Sequence, residues 1–106
     1  MRICLDIDGT LCTNTDGRYA EAVPYAEVIM QVSRLRSAGH RIILYTARGS
    51  TTGIDWREFT VAQLEGWNVQ YDELVMGKPT ADIYIDDRAM NSADWQLAGY
   101  SLQETM

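Results

Sequence analysis

Short apolar runs separated by polar, turn-forming stretches dominate this chain. Ile3-Cys4-Leu5, Ile42-Ile43-Leu44-Tyr45, Leu74-Val75-Met76 and Ile83-Tyr84-Ile85 have the length and side-chain types of buried strands. They predict strands over residues 2–7, 41–46, 74–76 and 82–86. Between them, apolar positions recur at helical spacing. Tyr25, Val28, Val32 and Leu35 form one such face, with Pro24 as a first helical residue and Gly39 as the stop. Asp55, with Glu58 three residues later, resembles a capping box that opens a second helix ending by Gly66. Asn91 or Ser92 can cap a last short helix carrying Trp95. Residues 12–23 are polar and turn-rich, with Asn14, Asp16 and Gly17, and suit a flap or hairpin. Trp56, Trp67 and Trp95 are expected to pack at helix–sheet seams.

Strands alternating with helices predict right-handed β-α-β units. The expected fold class is therefore α/β: a Rossmann-like parallel sheet in three layers, with helices on both faces. At 106 residues the chain makes one domain, 1–106, with a modest core.

The polar residues that follow each run change the picture. Asp6-Ile7-Asp8-Gly9-Thr10 closes the first, and Gly9-Thr10 is the turn chemistry needed to bring both carboxylates toward one pocket. A buried strand bears two charges at its tip only with a compensating cation. Taken alone, an Asp-x-Asp match is most often a solvated acidic turn. Here, however, Thr46 ends the second run, Gly77-Lys78-Pro79 places a lysine in a turn, and Asp86-Asp87 ends the last run. All of these emerge at strand C-termini, where open parallel sheets bind ligands. Carboxylates, a hydroxyl and an ammonium at one edge suit a divalent metal and a phosphoryl group. The metal would neutralise the acids, while Thr46 and Lys78 would bind phosphate oxygens.

With these four elements in order from Asp6 to Asp87, the sequence resembles the haloacid dehalogenase superfamily of phosphohydrolases. Tyr45-Thr46-Ala47-Arg48-Gly49 and Ile85-Asp86-Asp87-Arg88 are similar to segments of small capless phosphatases, including those of surface-polysaccharide biosynthesis. The resemblance implies a haloacid-dehalogenase-like core. Asp8 to Pro24 leaves room only for a flap, and Thr46 to Lys78 only for one helix and one strand, so no cap domain is expected. It also implies roles. Asp6 is the nucleophile, forming an aspartyl-phosphate, and Asp8 is the general acid and then the base. Mg²⁺ is the cofactor, held by Asp6, the Asp8 backbone carbonyl and Asp86. Thr46 and Lys78 bind phosphate, with Lys78 also holding Asp6 ionised. Backbone N–H groups around Asp8 and Gly9 form an anion nest. Ala47 and Arg48 belong to the substrate-binding element. Arg48 or Arg88 binds a distal substrate group or makes a surface salt bridge. Asp87 supports the metal site, orders Lys78 or caps the last helix.

The implied activity is a Mg²⁺-dependent phosphomonoesterase acting on a sugar, polyol or amino-alcohol phosphate, for capsule or other surface-polysaccharide synthesis. A polynucleotide 3′-phosphatase-like enzyme would use the same residues, but the net charge of −6 disfavours nucleic acid as a partner. A phospho-accepting receiver domain has similar parts in another order, with its acidic pair first rather than after the lysine. Cys4 is expected to be a buried strand residue. Neither a disulfide with Cys12 nor a zinc site is expected. His40, the single histidine, lies far from every candidate. No apolar stretch nears the roughly 20 residues of a membrane span, nor is there a leader pattern, so a cytoplasmic location is expected. Without a cap, the site of one small chain is shallow, which leads us to expect a homo-oligomer with the flap near the subunit contact.

Overall fold

The most apolar run of the chain forms the middle of the sheet. A computed structural model describes residues 1–102, with three parallel strands in the order β1 (Arg2–Asp6), β2 (Arg41–Thr46), β3 (Glu73–Met76). Ile42 and Leu44 of β2 are fully buried. In the register, Leu5 faces Leu44 and Leu44 faces Leu74, a cross-strand row of leucines that anchors the core. The same register aligns Asp6 with Tyr45 and Thr46 with Met76, so the C-terminal ends of all three strands lie along one edge.

Three helices pack onto this sheet: α1 (Ala26–Ser37), α2 (Arg57–Gly66) and α3 (Ser92–Leu97). Val28, Ile29 and Val32 of α1, Leu64 of α2 and Trp95 of α3 join the leucine row in one continuous core. Of the helical face read from the sequence, Val28 and Val32 are buried and Leu35 packs partly buried against them, whereas Tyr25 is exposed. The protein is α/β with a parallel sheet. Asn91 caps α3, its side-chain oxygen accepting the Ala93 N–H at 2.9 Å.

Helix starts differ in detail from the expectation. Pro24 precedes α1, bridged to Cys12, and Tyr25 takes the N-cap position. At α2, Asp55 accepts the Arg57 N–H at 3.0 Å in a local turn and Glu58 stands in the first turn, so the capping box does not form. The flap over 12–23 is tied down at its base by Thr13 and Val23 and contains a single 3-10 turn, Tyr19–Glu21.

Two expectations fail. Cys4 is exposed, because β1 is an edge strand and Cys4 points away from the face that buries Leu5. The strand expected over 82–86 is absent: Ile83 is 75% and Ile85 96% exposed. Alternating apolar residues give β-propensity, but a strand also needs a ladder. Here the preceding residues are held elsewhere. The Lys78 N–H donates to Thr46 O at 3.0 Å, Ser50 Oγ to Lys78 O at 2.7 Å, and Thr51 and Thr80 share a hydroxyl contact at 3.0 Å. Tyr84 donates its hydroxyl to the Pro79 carbonyl. These bonds keep the segment beside the loop after β2 rather than along the open edge of β1.

This placement has a measurable consequence. Leu44→Ala should cost about 2–5 kcal/mol in denaturant unfolding, whereas Ile85→Ala should stay within ~0.5 kcal/mol of the parent. A loss at Ile85 comparable to that at Leu44 would put the segment inside the core after all.

Candidate active site

The turn after β1 reverses within a few residues. Gly9 sits at φ 88°, a left-handed conformation open to glycine, and its N–H donates to Cys12 O at 2.8 Å. Leu11 and Cys12 then enter the core. Asp6 and Asp8 are left facing a cleft of about 420 Å³ above the C-terminal edge of the sheet. Ala47, Arg48, Lys78 and Tyr84 line it as well, together with the flap residues Asn14 and Asp16. Gly77 (φ 93°) turns the chain after β3 so that Lys78 points back over β1. Its Nζ lies 3.7 Å from the Asp6 carboxylate, 4.3 Å from the Tyr84 ring centre and 5.8 Å from that of Tyr45.

Asp8 is held more firmly. Arg48 donates from Nε to one carboxylate oxygen and from Nη2 to the other, both at 2.9 Å, in a bidentate fork. The Arg48 side chain has no exposed surface, whereas that of Asp8 keeps 18%. The remaining Arg48 nitrogen donates to Thr60 Oγ1 at 3.2 Å and Gln63 Oε1 at 2.7 Å, and the guanidinium lies 4.5 Å from the Tyr19 ring centre. Gln63 in turn donates to the Tyr19 carbonyl at 2.7 Å, which links α2 to the flap. Cys12 adds a long S–H contact to Asp8 at 3.7 Å, and burial followed by the Asp8 charge pushes its thiol up to about 12. That thiol stays protonated.

Arg48 therefore spends its donors on Asp8, Thr60 and Gln63 instead of on a distal substrate group or a surface pair. Thr46 is buried, and its hydroxyl oxygen accepts the Arg48 N–H at 3.1 Å, shaping the turn that aims the guanidinium. A Cβ at Gly49 would collide with the Ile54 carbonyl, so the loop after β2 folds tightly under the cleft. The anion nest expected around Asp8 and Gly9 is reduced, since the Gly9 N–H is already used.

The C-terminal acids do not join the site. Asp86 accepts the Arg88 N–H at 2.7 Å in an exposed turn, and Asp87 and Arg88 are exposed beside it. Among the described residues, no three acidic, cysteine or histidine side chains gather to hold a metal. The implied Mg²⁺ ligand set is thus incomplete, because Asp86 stands apart from the cleft that Asp6 and Asp8 line.

Thr60, Gln63 and Tyr19 carry no signal in the sequence, and Tyr84 stands there only as a residue of the expected 82–86 strand. Nothing in a helix pattern marks Gln63 as a partner of an arginine fifteen residues earlier. Trp56, read as a packing residue, lines the cleft and meets Tyr19 edge-on at 4.8 Å. A second cleft, of about 480 Å³, opens at the opposite edge of the sheet. Its Asp72 is already satisfied by Arg36 at 3.1 Å and the Ile42 N–H at 2.8 Å, as suits a structural ion pair.

A crystal structure of a protein from Vibrio cholerae matches this chain with a TM-score of 0.79 and 30% identity, over 89% of this chain and 85% of that one. The chain belongs to the same family as that protein. The family's core architecture therefore extends over most of both chains. Chains in a Pnkp1/Rnl/Hen1 complex and in a Pnkp1/Rnl/Hen1 RNA repair complex also match, with TM-scores of 0.58 and 0.57 and 25% identity in each case. These alignments cover 91% and 92% of this chain but only 33% and 30% of those, so it spans about a third of their length. No family model and no curated protein matches the sequence. No helix among the described residues is long and apolar enough to cross a membrane.

Two tests follow from the electrostatics. Arg48→Gln leaves the Asp8 carboxylate without its fork and should cost about 3–5 kcal/mol in denaturant unfolding. Arg48→Lys should recover less than half of that, since an ammonium cannot reach both oxygens together with Thr60 and Gln63. If the lysine variant is as stable as the parent, the fork is not what holds the turn.

The second concerns Asp6. Burial pushes its carboxyl above the usual range, while Lys78 and the Ile7 N–H draw it partly back. An acid whose folded value is raised holds its proton more tightly when folded. Its ionisation therefore costs stability, a cost absent in acid and fully present once the pH passes the raised value. Asp6→Asn should raise the melting temperature at neutral pH and lose that gain in acid. A variant that melts below the parent at neutral pH would contradict the burial of an uncompensated charge.

Proposed function

We propose that this protein is a Mg²⁺-dependent phosphomonoesterase with a capless, haloacid-dehalogenase-like core in which helices cover both faces of the sheet. The observation that carries this reading is the meeting of a half-buried carboxylate, Asp6, with the Lys78 ammonium at 3.7 Å, beside a second carboxylate fixed by a buried arginine. A strand tip that strands a negative charge this way needs an electrophile or a cation to relieve it.

In the proposed reaction an Asp6 carboxylate oxygen attacks phosphorus in line. The phosphorus–ester oxygen bond breaks, and the departing alkoxide takes a proton from Asp8. Water then attacks the aspartyl-phosphate and gives a proton to Asp8, releasing inorganic phosphate and restoring the Asp6 carboxylate and the protonated Asp8. Lys78 neutralises the phosphoryl oxygens throughout. Arg48 keeps the Asp8 carboxylate aimed at the cleft, so that little motion separates its acid and base roles. Mg²⁺ belongs to this reading through the resemblance of the sequence; when bound it would screen the phosphoryl charge. The likeness to chains of an RNA repair complex favours a second reading, a polynucleotide 3′-phosphatase, which uses the same residues on a polymer end.

Asp6→Asn should lower turnover by at least ~10³-fold, since an amide does not attack phosphorus. Asp8→Asn should lose about 10²–10⁴-fold with alkyl phosphates and distinctly less with 4-nitrophenyl phosphate, whose leaving group needs less protonation. Phosphate release is the assay, and equal losses on both substrates would remove Asp8 from the acid role. The same assay in excess chelator tests the metal: turnover that survives it leaves Lys78 as the phosphate's cation.

A further inference from the structure

We infer that the cleft accepts a leaving group that is neutral or cationic and rich in hydroxyls, and that it excludes substrates bearing a second anionic group. The inference rests on the phosphomonoesterase reading and adds the substrate class.

Arg48 and Lys78 are the two positively charged residues among those lining the cleft. Arg48 has no exposed side-chain surface and uses its donors on Asp8, Thr60 and Gln63. Lys78 keeps 16% of its side-chain surface and sits against Asp6, where the transferred phosphoryl group must lie. One available ammonium suits one phosphate. Arg18, next to the flap tip, is paired with Glu21 at 3.3 Å and does not line the cleft. A second phosphate or a carboxylate on the leaving group would find no cation to replace its lost hydration.

The rest of the wall carries the opposite preference. Beyond the two carboxylates at its floor, the cleft is lined by Asn14, Asp16, Thr51, Thr52 and Thr80. These amide, hydroxyl and carboxylate groups donate to and accept from alcohols. Asp16 is fixed at the mouth by its own turn, with φ 53° and its N–H donating to Asn14 Oδ1 at 3.2 Å. Its charge faces the same cleft as Asp6 and Asp8. A second anion would be repelled there, and an ammonium or a set of hydroxyls would be held. Tyr19, Tyr84 and Trp56 add aromatic surface on which a carbon skeleton can rest. Discrimination by charge is therefore built from a repulsive element as well as an attractive one. This wall also opposes a polynucleotide end, whose neighbouring phosphodiesters would lie along the mouth.

The test is competition against 4-nitrophenyl phosphate by matched esters. Sorbitol 6-phosphate is paired with 6-phosphogluconate, glucose 6-phosphate with glucose 1,6-bisphosphate, and glucosamine 6-phosphate and a 3′-phosphorylated oligonucleotide complete the set. The neutral and amino esters should inhibit at concentrations at least about tenfold below those of their anionic partners and of the oligonucleotide. Asp16→Asn should compress that ratio, mainly by improving the anionic members. Anionic esters or the oligonucleotide competing as well as the neutral ones would overturn the inference while leaving the phosphatase reading intact. A ratio unchanged by Asp16→Asn would overturn the part assigned to the flap. Absence of any 4-nitrophenyl phosphate turnover would instead sink the phosphomonoesterase reading, and this inference with it.

Discussion

The bidentate pair between Asp8 and Arg48 is the contact on which the rest of the site depends. It joins the turn after β1 to the turn after β2 through two hydrogen bonds of 2.9 Å. Through Thr60 and Gln63 it reaches α2, and through the Gln63 bond to the Tyr19 carbonyl it reaches the flap. Buried ion pairs offset their desolvation only when geometry is good and the remaining donors are satisfied. Here every guanidinium nitrogen has a partner. The pair thus fixes the orientation of one carboxylate while leaving a fraction of it open to the cleft.

Asp6 is treated in the opposite way. It lies at the end of an edge strand, half-buried, with a single ammonium nearby at a distance longer than a hydrogen bond. Burial outweighs the attraction of Lys78 and raises its carboxyl. One carboxylate is saturated and the other is left short of compensation, in the same cleft. This difference of environment between two neighbouring acids is how sites divide roles between identical side chains.

The family shared with the Vibrio cholerae protein accounts for nearly the whole chain, whereas the chains of the RNA repair complexes contain the same core within a polypeptide about three times as long. A common core does not carry a common substrate, because function lies in the groups mounted on it. In this chain those groups are the flap, the loop after β2 and the segment after Lys78. Together they present a wall of hydroxyl, amide and carboxylate groups, and of the two cations lining the cleft beside it only Lys78 keeps exposed side-chain surface.

Much of this was legible in the sequence. The apolar runs at 3–5, 42–45 and 74–76 gave the strands because a buried parallel sheet demands continuous hydrophobicity. The helical face of Val28 and Val32 followed from periodicity, and the polar residues after the runs located the cleft through the parallel topology. The sequence also singled out Asp6, Asp8, Arg48 and Lys78 by type and place, but it could not assign Arg48 a partner. Its fork to Asp8 and its bonds to Thr60 and Gln63 join residues far apart in the chain. Only tertiary packing decides such contacts, because they depend on how a helix sits over a sheet and not on any local pattern. The fate of 82–86 has the same cause: its alternation expresses a local propensity, but strand formation requires a partner edge, and bonds made at Lys78, Thr80 and Tyr84 direct the chain elsewhere. Local composition determined the elements and the chemistry on offer, whereas long-range pairing determined which groups are saturated and which remain free to act.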